Sequence, residues 1–343
     1  MMNMQQGDLC LVTGISGYLA SWVGHYLLQE GYRVRGTVRS LSNREQVDKV
    51  RELLPGVELV EADLRKEAGW AEAVAGVKWV FHVASPQAVR TETDRVGGAT
   101  KGTELLMQAA LTAGSVRKIV VTSSEAAIAY GHAAAKLTFT EDDWTDINSP
   151  NDYFRSKTRA EKIAWDMVRD PARNLHRVAL SAINPSMILG PSLIPWGRFS
   201  SESVKNMAEG KMPLLPDMTS HYVDVRDCAR MHIALMNDPR TDGHRHFSFG
   251  AKGRMADLAQ LIRESYGHLG FKPSTRLLPK ALLWPLKLVS KDVASVYSKI
   301  GTTTHYQTKH PHVYRYEFCD LRQMVRDTMD SMLANNMLAP KRK

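Results

Sequence analysis

Cysteine is scarce in this sequence: Cys10, Cys228 and Cys319 are far apart among 343 residues and never form a Cys-x-x-Cys spacing. A disulfide framework is therefore not expected, and the pattern fits reduced thiols in the cytoplasm, the expected location. Long apolar runs are also lacking. The most apolar stretch, 281–300, is broken by Pro285, Lys287, Lys291 and Asp292 and cannot span a bilayer. A face resting on a membrane and a helix of a substrate lobe are two readings of it; the second is the expectation, with no membrane partner. No apolar segment precedes the first strand, so a signal peptide is not expected. The formal net charge is +9, yet the only basic run is Lys341-Arg342-Lys343, and no aromatics are interleaved with the cations. Nucleic acid is not an expected partner, and the charge suits a small phosphorylated ligand. With 43% hydrophobic residues and no low-complexity linker, one large domain or two interleaved ones are expected.

What is present begins at Leu9-Cys10-Leu11-Val12, an apolar run that reads as a strand buried on both faces. Thr13-Gly14-Ile15-Ser16-Gly17 turns the chain, and Tyr18 to Glu30 has helical spacing, with Leu19, Val23 and Leu27 on one side and small Ala20 against the sheet. A strand, a glycine turn and a helix N-terminus make an anion site, because unpaired amides and the helix dipole point at it. A second strand, 33–39, ends in Thr37-Val38-Arg39-Ser40 with no acid to hold the ribose hydroxyls of NAD. Arg39, with Arg44 beyond it, can grip a 2′-phosphate instead, which points to NADP. A helix over 43–54 and a strand over 57–61 lead to Asp63 and Leu64, where an adenine would lie. A short helix over 68–74, a strand over 79–84, a helix over 98–113 and a strand over 118–122 complete the alternation of a doubly wound parallel sheet.

The fifth strand ends in Thr122-Ser123-Ser124-Glu125, at the sheet edge where ligands bind in such folds. Further on, Tyr153 is the only one of the 11 tyrosines with a lysine four residues later. Tyr153 and Lys157 then share one helix face, and a neighbouring ammonium is expected to lower the phenol's pKa toward neutrality. Beyond Asn184 the regular alternation ceases. His305, His310 and His312 lie on an expected loop without flanking acids, so no metal site is assigned.

Together, Thr13-Gly14-x-x-Gly17-x-x-Ala20, His82-Val83-Ala84-Ser85-Pro86, Thr122-Ser123-Ser124 and Tyr153-x-x-x-Lys157 resemble the extended short-chain dehydrogenase/reductases, as do 184–192 and 222–227. The likeness is strongest to the dihydroflavonol-reductase-like branch, which includes aldehyde, ketone and cinnamoyl-CoA reductases. It implies a Rossmann α/β fold with a smaller C-terminal α/β substrate lobe. The NADP-binding domain would be 1–190, with 221–250 returning to it, and the lobe 191–220 and 251–343. It further implies NADPH-dependent carbonyl reduction of a hydrophobic aldehyde or ketone, by a monomer or homodimer.

In that resemblance Ser124, Tyr153 and Lys157 are catalytic. Ser124 would bind the carbonyl oxygen, Tyr153 protonate it, and Lys157 hold the nicotinamide ribose. The dinucleotide would lie on Thr13, Gly14, Ser16, Gly17, Tyr18 and Leu19, then Arg39, Arg44, Asp63 and Leu64. Val83, Ala84, Ser85, Thr122, Tyr153, Lys157, Pro185 and Ile188 would complete its site. Ala129, five after Ser124, stands where dihydroflavonol reductases carry Asn or Asp, which speaks against a flavonoid. The 151–154 segment lacks the Trp and Cys of cinnamoyl-CoA reductases, which speaks against a CoA thioester. Helix 98–113 has no Asn for a fourth catalytic member. A nucleotide-sugar epimerase or dehydratase is the alternative, since Ser124-Glu125 is similar to the Thr-Asp-Glu of sugar dehydratases; Arg39 and Ser85-Pro86 argue against it. A dinucleotide-sensing regulator is a third reading, opposed by the intact Tyr153/Lys157 pair.

Overall fold

The computed structural model describes residues 4–85, 95–195, 200–314 and 317–340. In chain order the first half runs β1 (Leu9–Val12), α1 (Tyr18–Gln29), β2 (Arg33–Val38), α2 (Arg44–Leu53), β3 (Glu58–Glu61), α3 (Trp70–Val74), β4 (Trp79–His82), α4 (Arg95–Thr112), β5 (Lys118–Thr122), β6 (Thr138–Phe139) and α5 (Asp152–Arg169). Then come β7 (Ala179–Pro185), β8 (Met187–Leu189), α6 (Ser200–Ala208), β9 (Leu215–Pro216), β10 (Thr219–Asp224), α7 (Val225–Asn237), β11 (Arg245–Ser248), β12 (Ala251–Arg254) and α8 (Met255–Tyr266). The chain closes with β13 (Leu277–Leu278), α9 (Lys280–Leu283), α10 (Leu286–Val289), α11 (Lys291–Val296), β14 (His305–Tyr306) and α12 (Leu321–Ala334).

Seven parallel strands form the main sheet in the order β11-β7-β5-β4-β1-β2-β3. Strand alternation sends successive side chains to opposite faces, and both faces are covered. Cys10, Val12 and Phe81 join one core with α1, α2 and α7, while Leu11, Val80 and Ile119 join another with α3, α4 and α5. That explains why these strands read as continuous apolar runs rather than alternating ones. Fully buried side chains such as Leu11 and Leu27 each contribute about 1.5–3 kcal/mol relative to exposure. The doubly wound α/β fold is thus present, and its switch point lies at β1, flanked by β2 and β4.

A third core packs Leu189, Tyr222, Ile262, Phe271 and Met329 around β8, β10, α8 and α12. Strand β10 pairs with β8 and β12 in a separate three-stranded sheet, so Tyr222–Asp224 do not enter the main sheet, unlike β11 beside β7. Helix edges shift modestly from expectation. Asn43 is the N-cap of α2, its Oδ1 accepting from Gln46 N, and α4 starts three residues early. The two-residue pairing of β14 with β6 had no signal in the sequence. Pro86 of the Ser85-Pro86 turn and the 341–343 basic tail lie outside the described residues.

Candidate active site

The glycine turn sits at the switch point. Gly14 has φ +65°, and a Cβ there would stand 3.1 Å from the Ala84 Cβ, so the turn and the end of β4 require glycine for both reasons. Gly17 N donates to Gly14 O at 2.7 Å, and Gly17 caps α1 without a side-chain acceptor. The first amides of α1 thus have no side-chain cap from Gly17, the arrangement that suits an anion at a helix N-terminus. Thr13 Oγ1 accepts from Ala84 N at 2.9 Å and hydrogen-bonds His82 Nδ1 at 3.0 Å. Burial drives His82 down to about 3, so its ring is neutral, and its Nε2 lies 3.4 Å from Thr103 Oγ1.

Beside the turn, Tyr18 donates its hydroxyl to Gly190 O at 2.8 Å. Arg39 and Arg44 are exposed at the edge beyond β2. An acid the sequence had not suggested stands near them: Glu61 Oε2, from β3, accepts from Leu41 N at 3.0 Å and so fixes the loop after Arg39. Asp63 is held by Arg65 in a paired contact (2.8 and 3.1 Å), and Leu64 packs where a Gly102 Cβ would fall, 2.6 Å away. Val83, Ala84 and Ser85 follow β4, Pro185 ends β7, and Ile188 lies in β8.

Tyr153 Oη and Ser124 Oγ are 3.4 Å apart. Asn151 caps α5, its side chain accepting from Phe154 N at 3.0 Å, which fixes the first turn of the helix, where Tyr153 sits. One turn on, Lys157 Nζ reaches Thr122 O at 3.4 Å. Burial lowers Lys157 to about 8. The expected lowering of the Tyr153 phenol is not found. Desolvation raises it, outweighing the hydrogen bond with Ser124, and Glu125 adds to the rise. Tyr153 is nevertheless 43% exposed, so a ligand can reach it.

Behind this pair lies a network that sequence reading missed. Glu161 continues the Tyr153/Lys157 face by another four residues and is 1% exposed. Its carboxylate accepts from Ser123 Oγ, Asn184 Nδ2 (2.9 Å), Trp165 Nε1 (3.1 Å) and Arg245 Nε (2.6 Å). Burial pushes Glu161 up, but Arg245 and the other donors more than reverse it and hold the acid below its usual range. Asn184 also donates to Ser124 O at 3.1 Å, which ties the network to the serine. The i, i+4, i+8 spacing was the signal that could have found Glu161.

Glu125, next to Ser124, lines a cavity of about 20 Å³, room for a water-sized group, with Tyr130, His221, Lys299 and Tyr306. Tyr306 Oη donates to Glu125 Oε2 at 2.6 Å and stacks between His221 and Phe247. Burial raises Glu125 to about 7 despite that bond. A carboxyl whose folded pKa exceeds its ordinary 4.5 favours the fold most below pH 4.5 and loses that benefit as pH rises through about 7. Glu125→Gln should therefore gain stability over the wild type by up to about 3 kcal/mol on going from about pH 5 to about pH 8, read from urea midpoints. A difference independent of pH would show that Glu125 does not titrate this way. His305 lies in β14, while the His310 ring lies 4.7 Å from those of His244 and His246; among the described residues no three His, Cys, Asp or Glu form a metal-ligand group.

A glycine turn at a switch point, with a Ser and a Tyr/Lys pair at the same sheet edge, defines the class of dinucleotide-binding enzymes on a doubly wound sheet. The chain belongs to the NAD dependent epimerase/dehydratase family, whose pattern matches residues 10–250. It is 30% identical to cinnamoyl-CoA reductase 1 of Arabidopsis thaliana over 344 aligned positions, covering 97% of this chain and 92% of that one. Against cinnamoyl-CoA reductase CAD2 of Medicago truncatula it is 31% identical, covering 78% and 84%. The fold is similar to that of the yeast methylglyoxal/isovaleraldehyde reductase Gre2 complexed with NADPH, with a TM-score of 0.79 over 96% of this chain and 99% of that one at 23% identity.

Proposed function

We propose that this chain is an NADPH-dependent reductase that converts a hydrophobic aldehyde or ketone to its alcohol, reversibly. The observation that carries this reading is the approach of Tyr153 Oη to Ser124 Oγ, with Lys157 one helical turn away, beside the glycine turn. The reductases among its relatives support the same chemistry. In this reading 1–190 and 221–250 serve the cofactor, and 191–220 with 251–343 form the substrate lobe. With its pyrophosphate on the Gly14–Leu19 turn, bound NADPH would supply a hydride from its nicotinamide. The chain's own part concerns the oxygen. Ser124 Oγ and Tyr153 Oη donate to the carbonyl oxygen, and as negative charge grows there Tyr153 passes its proton to it. A raised phenol is protonated at neutral pH and therefore suits the donor role. The Lys157 ammonium, when protonated, favours the phenolate left behind and would hold the nicotinamide ribose.

Specificity for NADPH rests on Arg39, with Arg44 nearby. A charge-assisted hydrogen bond to the 2′-phosphate contributes about 1.5–3 kcal/mol, one to two decades in affinity. Arg39→Ala should weaken NADPH by about that factor and NADH far less, measured by fluorescence titration of both cofactors. Equal losses would mean that Arg39 supports the adenine or the loop instead. Glu125 favours one second reading, elimination from a nucleotide sugar, in which NAD(P) is recycled. The readings separate in one assay: a carbonyl panel consumes NADPH stoichiometrically only for a reductase.

A further inference from the structure

The end of the substrate lobe exposes apolar side chains where no catalytic argument needs them. Leu282, Trp284, Leu286, Leu288 and Val289 are 59%, 54%, 47%, 68% and 83% exposed, while Leu283 alone among α9 and α10 is buried at 6% and anchors them. Trp284 and Pro285, both in the right-handed helical region, join the two four-residue helices into one short segment. Along the chain, up to Asp292, the charge has one sign. Between Glu264 and Asp292 the chain carries Lys272, Arg276, Lys280, Lys287 and Lys291 and no carboxylate. Lys272, Arg276 and Lys291 are exposed; Lys280 donates its Nζ to Ile300 O at 2.7 Å, and Lys287 lies with its Nζ 4.6 Å over the Tyr297 ring, at the base of the patch.

We propose that segment 277–291 is an interfacial anchor that seats this face of the protein on an anionic membrane surface. Exposed leucines and a tryptophan enter the boundary between headgroups and acyl chains, and lysines at their flanks meet acidic headgroups. The chain lies on the membrane rather than through it, since no described helix is long and apolar enough to cross. A second copy fits this face poorly: a two-fold contact would set these cations against the same cations, with no carboxylate in the segment to separate them. The anchor also adjoins the candidate site. Asp292, just past it on α11, accepts from Asn151 Nδ2 at 2.7 Å, and Asn151 caps the helix that carries Tyr153. An apolar compound dissolved in the membrane would thus arrive beside that helix without crossing water, a corollary that rests on the proposed function; the anchoring itself does not.

The full-length protein, mixed with vesicles of phosphatidylcholine alone or with about 30% phosphatidylserine, tests this by flotation. Recovery with the phosphatidylserine vesicles is expected to exceed that with phosphatidylcholine about tenfold or more and to fall as salt is raised. The exposed pair Leu288→Ser/Val289→Ser should lose most of the binding, and so should Arg276→Glu/Lys291→Glu, each checked for folding by circular dichroism. Equal recovery with both vesicle types, or binding unchanged by both variants, overturns the anchor. So does a dimer in sedimentation that Leu288→Ser/Val289→Ser dissolves while vesicles recover no protein, which would assign the face to a second copy.

Discussion

Replacing Tyr153 with Phe is expected to lower kcat for carbonyl reduction by about 10²-fold or more while NADPH still binds. The substitution removes one hydroxyl and keeps the ring, whose edge-on contact with Phe154 at 6.3 Å is apolar and remains. Ser124 Oγ still accepts from Ala126 N at 3.1 Å, so the serine retains its position when its tyrosine partner is lost. What disappears is the proton donor, and general acid assistance is worth about 10²–10⁴-fold. Steady-state rates with NADPH and a reducible aldehyde, beside a cofactor titration, check it. A variant within a few-fold of wild-type kcat would mean that the proton comes from elsewhere. Losing cofactor affinity along with turnover would instead point to a damaged fold.

Arg245→Met is expected to cost about 3–5 kcal/mol of stability, because it strands the Glu161 carboxylate in a site that excludes water. The guanidinium holds Glu161 through both Nε and Nη2, at 2.6 and 3.1 Å, donates to Glu141 O at 2.9 Å, and lies 3.6 Å over the Trp144 ring. A hydrophobic replacement fills part of that space and satisfies none of the acid's lone pairs. The double variant Glu161→Gln/Arg245→Met should recover part of the loss, since it removes the charge as well as its partner. Urea unfolding of the wild type and the two variants measures both numbers. A single-variant loss below about 1 kcal/mol would show that Glu161 takes up a proton instead of remaining charged.

Strands β1 to β5 could be read from the sequence because β1, β4 and β5 are buried along almost their whole length and the glycine turn has a mechanical reason for its residues, whereas β7, between β5 and β11, had not been singled out. The candidate pair was legible for a similar reason: Tyr153 and Lys157 are one helical turn apart on a single segment. Glu161 and Arg245 were not, because their partnership joins a helix to a strand much later in the chain, and a lone arginine in a strand has no local signature. The Tyr306–Glu125 bond escaped for the same reason, since β14 is two residues long and takes its shape from β6. The direction of the Tyr153 shift was misjudged because a sequence supplies neighbours but not desolvation. Here burial outweighs the hydrogen bond with Ser124, and Glu125 adds to the rise.

The Glu161–Arg245 bond spans 84 residues, and this has a bearing on the order in which the molecule can be made. A ribosome releases α5 well before β11, so for that interval the helix bearing Tyr153 carries a carboxylate whose countercharge has not yet been synthesised. Burying it early would cost several kcal/mol, which favours keeping α5 loosely docked until Arg245 emerges. The edge strand β11 then closes the sheet and neutralises the acid in one event. Non-local closure of this kind slows folding, and it makes the N-terminal half dependent on a strand that lies beyond residue 240.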